Sequence, residues 1–228
     1  RLANTKVSIV GAGGTGNLMG TMLATLGAVD LTLVDFDTVE EVNRNRLLGV
    51  SQEDIEVVAP KIDVLERSIK TINPKINVNK ILASVDDEIA IEAMKITDLI
   101  VGCVDSAFGR FVLNQFSLQY MKPYFDCATG ILTSSAGDLS EFGGQLHATI
   151  PGGPCLECSG IVDRQRALKE ALPGELKLGL ARHGYLVGGN EDIPSPSVIF
   201  LNALIVSLTI QEIISYITGF KKLQPYLV

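Results

Sequence analysis

The first eighty residues alternate between short apolar runs and stretches with apolar residues every third or fourth position. Lys6–Val10 (KVSIV) is a β-branched run, a glycine turn follows it, Thr15–Leu26 has helical content, and Leu31–Val34 is a second apolar run that ends at Asp35. Strand, helix and strand in such quick succession predict a βαβ unit with a right-handed crossover, and therefore a parallel sheet. Next, PKIDVLERSIKTIN puts Ile62, Leu65, Ile69 and Ile72 at helical spacing, with Pro60 at the front where its missing N–H costs least. INVNKIL reads as a third strand, DDEIAIEAMK as a helix with acids at its positive end, and DLIVGCVD as a fourth strand. FGRFVLNQFSLQYM continues as a helix and KPYFDCATG as a strand, while ILTSSAGDL and GGQLHATI read as antiparallel β segments.

Between Pro151 and Pro196 the periodicity dissolves into glycine, proline and charge, which predicts a long functional excursion. The apolar stretch Ser197–Ile217 carries Asn202, Gln211 and Glu212, so it is expected to be a buried helix of a soluble fold rather than a membrane span, closed by Thr218 and Gly219. The whole predicts an α/β, Rossmann-like doubly wound fold: a mainly parallel sheet with an antiparallel extension and a long crossover loop. It is expected to be one domain over 1–228, with an irregular excursion at about 151–196. The chain opens on Arg1 and stops after LQPYLV, which suggests a piece of a longer protein. Ligands are expected beyond the carboxyl ends of the strands, where Asp35 and Asp105 sit.

Composition sharpens this picture little. The chain has 228 residues, 46% hydrophobic and 20% charged, with a net charge of −7. That acidity argues against a general nucleic-acid or anionic-membrane surface, so any polyanion must be met by a local basic pocket. Four cysteines without a signal-peptide pattern suit a reducing, cytoplasmic compartment, where a C-x-x-C pair serves metal or redox chemistry more often than a structural disulfide.

Gly11, Gly13 and Gly16 satisfy G-x-G-x-x-G, with Gly14 as an extra glycine. Such glycines permit a tight turn and let backbone N–H groups approach phosphate at a helix N-terminus. Asp35 is placed to accept hydrogen bonds from ribose hydroxyls. This loop alone does not separate ATP from NAD. Asp37, Asn43 and Arg46, however, are surplus to a hydride carrier. Phosphoryl chemistry needs cations on the phosphate tail and a carboxylate for the metal. Arg46 and Lys61 could supply the grip, Asn43 an orienting amide, and Asp105 the ligand for Mg²⁺. Singly, each has an ordinary reading: Arg46 a surface charge, Lys61 a solvated first-turn residue, Asp105 a helix cap.

The ordered set GAGGTG, LVDFDTVEEVNRNRL, APK, TINP and VGCVDSAFGRFVLN resembles the ThiF/MoeB/HesA superfamily, whose adenylating domain is shared with ubiquitin-activating enzymes. The resemblance runs from about Lys6 to Cys158 and resumes from Pro196 to Gly219. Asp35, Asp37, Asn43, Arg46, Lys61, Asp105, Arg110 and Asn114 occupy the family's motif positions. The resemblance implies ATP- and Mg²⁺-dependent adenylation of the C-terminal carboxylate of a ubiquitin-like or sulfur-carrier protein ending in Gly-Gly, by a homodimer. In that reading Arg46, Lys61 and Asp105 are catalytic, and Gly11, Gly13, Gly14, Gly16, Asp35, Asp37 and Asn43 hold the nucleotide with them.

Cys155 and Cys158 match the first half of the family's structural zinc site. No second C-x-x-C follows the buried helix, so the other pair lies past Val228 or the site has decayed. Beyond Cys158 the excursion holds no cysteine for a thioester. Cys103 reads as strand core, Cys127 as a thiol near the crevice with a conceivable thioester role, and His147 and His183 as structural. Two other readings compete: a non-catalytic nucleotide-binding or scaffold subunit of a heterodimeric activating enzyme, and an NAD-dependent oxidoreductase, which would leave Arg46 and Lys61 without a role.

Overall fold

Short β-branched runs buried on both faces are what a central parallel strand requires, and the sheet is built from them. In the computed structural model, which describes residues 1–133, 139–174, 176, 198–224 and 226–227, β1 (Lys6–Val10), β2 (Asp30–Val34), β3 (Asn77–Ile81), β4 (Leu99–Gly102) and β5 (Tyr124–Thr133) run parallel. β6 (Leu139–Thr149) returns antiparallel to β5, and β7 (Tyr226–Leu227) antiparallel to β6. The order is β3-β2-β1-β4-β5-β6-β7. The direction of travel therefore reverses between β1 and β4, and a crevice opens at the carboxyl ends there.

Helices cover both faces. Val7, Ile9, Leu31 and Leu33 point to one side and pack on α1 (Gly14–Thr25), α3 (Lys61–Ile72) and α7 (Ile199–Thr218) through Met19, Leu23, Leu65, Ile69, Ile205 and Ile213. Val10, Val34 and Ile100 point to the other side and pack on α4 (Glu88–Lys95), α5 (Ala107–Tyr120) and α6 (Arg164–Glu170). A third cluster, Val39, Leu47 and Val64, seats the segment between β2 and α3, which includes the short α2 (Gln52–Glu56).

Several boundaries depart from those expected from the sequence. KPYFDCATG and the following ILT form one long strand, because an antiparallel partner pairs along the full length of β5. Ile72 is 41% exposed; Val64 takes the buried place, facing Val39 and Leu47. The excursion contains α6, capped by Asp163, whose carboxylate accepts from the N–H groups of Gln165 and Arg166. Residues 134–138 and 177–197, with His183, lie outside the described residues.

By length and composition α7 could cross a membrane, but half of its apolar window is buried inside the protein. Within it Asn202, Thr209 and Glu212 are fully buried. Glu212 is held by Lys221 Nζ at 2.6 Å and by the N–H of Gln224 at 2.9 Å.

Candidate functional site

The turn after β1 needs its glycines for packing as well as for a ligand. Gly11 has φ +91°, and its N–H donates to Val34 O at 2.8 Å; a Cβ there would meet the Cys103 carbonyl. A Cβ at Gly16 would overlap the Gly11 carbonyl oxygen, so that glycine lets α1 close on the strand and does not itself line the cavity. Gly13 faces open space.

Asp35, at the end of β2, is buried. Its Oδ2 accepts from the N–H of Ala12 in the glycine turn, and its Oδ1 from the N–H of Asp37 at 2.7 Å. Burial pushes the carboxyl above its usual range, and these two N–H groups partly offset that. Each oxygen keeps lone-pair capacity for a further donor. The second acid, Asp37, works on the protein itself. Its Oδ2 pairs with Lys61 Nζ at 2.6 Å, and its carbonyl accepts from the Lys61 N–H at 2.9 Å. Asp37 thus fixes the start of α3 and the aim of Lys61.

Between them the chain folds over α1. Asn43 is buried; its Oδ1 accepts from the Glu40 N–H in a capping box. Arg46 packs its stem above Gly14 and donates from Nη1 to Val42 O at 2.8 Å, and no carboxylate pairs with it among the described residues. Asn17 of α1 holds this segment down with two bonds to the Leu48 main chain, at 2.9 and 3.2 Å. Sequence reasoning misses Asn17, because an asparagine within a helix carries no spacing signal.

The other wall begins after β4. Asp105 is exposed, and its carboxylate has no partner among the described residues. Ser106 caps α5 by accepting from the Gly109 N–H at 3.0 Å, and Glu170 of α6 accepts from the Phe108 N–H at 3.2 Å. Across the crevice, Thr129 of β5 donates to Asn202 of α7 at 2.9 Å.

These pieces enclose one cavity of about 510 Å³. Gly11, Gly13, Gly14, Asp35, Asp37, Asn43, Arg46, Lys61 and Asp105 all line it, so the expected nucleotide-site residues other than Gly16 come together. Arg110 lines it as well, whereas Asn114 is buried beneath, its Oδ1 accepting from the Leu156 N–H at 2.9 Å. Phe36, Phe108, Thr129 and Glu170 join the lining although no sequence motif singles them out. Cys103 lies just past β4, where it packs against the main core as expected and also lines the cavity. Its neighbour Cys127, then burial, raises the Cys103 thiol well above its usual range, so it stays protonated at neutral pH. Cys127 is buried within β5 and also reaches the lining.

Cys155 and Cys158 sit with their sulfurs 3.4 Å apart. Burial raises the Cys155 thiol, but bonds from Cys158 and Asn114 outweigh it and leave the thiol lowered. Two thiols make half of a tetrahedral zinc site, and no group of three metal-ligating side chains exists among the described residues. His147 is buried beside this turn, with Nε2 3.2 Å from Pro154 O.

The ThiF family profile matches residues 1–228. The SAMP-activating enzyme E1 of Haloferax volcanii is 30% identical over 158 residues, 69% of this chain and 54% of the relative. The molybdopterin-synthase adenylyltransferase of Haemophilus influenzae is 32% identical over 142 residues, 62% of this chain and 56% of the relative. The chain therefore spans about half the length of these relatives. Among solved structures, Escherichia coli MccB with ATP superposes with a TM-score of 0.71 at 23% identity, over 97% of this chain and 58% of that one. That likeness shows the Rossmann-like fold.

Proposed function

The chain belongs to the ThiF family, and from that premise we propose that it adenylates the C-terminal carboxylate of a ubiquitin-like or sulfur-carrier protein at the expense of ATP. The relatives named as adenylyltransferases and as a SAMP-activating enzyme support this reading. The observation that carries it is that segments distant in sequence bring the glycine turn, Asp35, Arg46, Lys61 and Asp105 to the wall of one cavity. In the reaction a carboxylate oxygen bonds to the α-phosphorus of ATP. The bond from that phosphorus to the bridging oxygen breaks, and pyrophosphate leaves with the electron pair.

Asp35 accepts from the ribose hydroxyls while its own oxygens stay oriented by the N–H groups of Ala12 and Asp37. Arg46 and Lys61 lie on the phosphate side and offset the repulsion between two anions. Asn43 presents its amide to the same tail. Asp105 suits Mg²⁺ because its carboxylate is unpaired at the mouth of the cavity, and the ion, when bound, would neutralise charge developing on the phosphates. Cys155 and Cys158 take no part in this chemistry; as a zinc half-site they would only tie their turn. The acceptor ends in Gly-Gly, and the chain works as a homodimer in the cytoplasm.

ATP–pyrophosphate exchange measured against a panel of small sulfur-carrier and ubiquitin-like proteins ending in Gly-Gly tests the reading. Exchange that requires one of them supports it. A purified chain that binds ATP yet exchanges with none overturns it.

A further inference from the structure

Arg110 lines the cavity but is committed to neither the nucleotide side nor the solvent. Asp126 on β5 is buried at 1% exposure, where a carboxyl group needs hydrogen-bond partners. Arg110 supplies two bonds: Nε donates to Oδ1 at 3.0 Å, and Nη2 donates to Oδ2. The Tyr124 hydroxyl adds a third, to Oδ1 at 2.8 Å. Tyr124 is fully buried and packs directly on Gly102, where a Cβ would stand 2.7 Å from both its ring and its hydroxyl. The guanidinium fork is thus fixed in place with Nη1 making no hydrogen bond among the described residues.

Its position separates it from the phosphate grip. The glycine turn follows β1, whereas Asp126 lies on β5, two strand spacings away in the order β1-β4-β5, about 10 Å. An acyl group attacking a phosphate held at the glycine turn must come from a side of the cavity beyond that phosphate. The charge of Arg110 is already balanced by Asp126, so the pair is a nearly neutral hydrogen-bond donor. A bond from it to a carboxylate is still charge-assisted, because the acceptor is ionised.

Resting on the adenylation reading, we propose that Arg110 donates from Nη1 to the non-attacking oxygen of the acceptor's C-terminal carboxylate, with Asp126 and Tyr124 as its positioning residues. It is a specificity residue for the acyl substrate, distinct from the cations that meet ATP.

The test uses a Gly-Gly-ending sulfur-carrier protein that supports pyrophosphate exchange with the unaltered chain. Arg110→Gln combined with Asp126→Asn removes both charges yet keeps an amide-to-amide bond, so no buried ion is left alone. The acceptor KM should rise about tenfold or more, the usual worth of a charge-assisted hydrogen bond, while the KM for ATP stays within about twofold. Arg110→Lys, which keeps the charge and loses the fork, should rescue little of it. Should the double variant melt early, the lysine variant carries the same KM comparison. An unchanged acceptor KM in a folded variant overturns the proposal, as does a parallel rise in both KM values. Absence of exchange by the unaltered chain with every Gly-Gly protein sinks the adenylation reading instead, and this inference with it.

Discussion

The two walls of the cavity are held by different kinds of bond. On the β1–β2 side main-chain N–H groups are the chief donors: Gly11 to the Val34 carbonyl, Ala12 and Asp37 to the Asp35 carboxylate, and Lys61 to the Asp37 carbonyl, beside the Lys61–Asp37 side-chain pair. On the β5 side Arg110 to Asp126 spans 16 positions, but two ties reach much further along the chain: the Phe108 N–H to Glu170 and Thr129 to Asn202, across 62 and 73 positions. The first wall is set once β1, α1, β2 and the start of α3 have packed. A wall built from distant side chains exists only when the whole chain has folded, and its loss need not disturb the first. Under the proposed function the nucleotide meets the first of these walls and the acceptor the second.

The harshest way to break this contrast is Gly16→Ala. Its Cβ overlaps the Gly11 carbonyl oxygen, so the turn must open; the dissociation constant of a fluorescent ATP analogue should rise at least about a hundredfold, as expected for an unrelieved backbone clash. Asp105→Ala touches no packing. Pyrophosphate exchange should fall about a hundredfold or more, on the order of 3 kcal/mol of barrier, while the melting temperature holds.

Asp54 sharpens the comparison from outside both walls. Arg67, then the N–H and hydroxyl of Ser51, against the cost of burial, hold its carboxyl well below the usual carboxylate range. Because the folded value is depressed, its contribution is complete above the unfolded value near pH 4 and is lost as pH falls through the folded one. Urea midpoints should therefore drop between about pH 5 and 2, and Asp54→Asn should flatten that drop at a cost of about 1–2 kcal/mol at neutral pH. The mildest change is Thr129→Val, which removes one bond to Asn202. It should cost about 1 kcal/mol in urea unfolding and leave ATP-analogue affinity within about twofold.

The same contrast explains what the chain alone makes legible. The alternation of strand and helix, the glycine spacing and the carboxylate after β2 are local patterns, and each can be read because its physics acts over a few residues. Arg46, Lys61 and Asp105 become legible together through the family's order of motifs. Asn17, Thr129 and Glu170 do not, since nothing near them in sequence signals the partner that gives each a role. The excursion reads as irregular although Asp163 followed by RQRALKE is a capped helix. Its surroundings of glycine and proline outweigh a short local signal. Asp37 stands out as an extra acid, but its pairing with Lys61 depends on how the segment between β2 and α3 doubles back.

Glu212 bears on where its helix can lie. Helix α7 is twenty mostly apolar residues, while the lysine that neutralises its buried carboxylate lies three residues past the helix end. A carboxylate within such a stretch opposes its burial in a bilayer as a lone helix, by about 2.5–3.5 kcal/mol at the helix centre and by less toward the end where Glu212 lies. In the fold the same carboxylate fastens the residues that follow the helix, through Lys221 and the Gln224 N–H, so a single acid ties the longest of the described helices to its own exit.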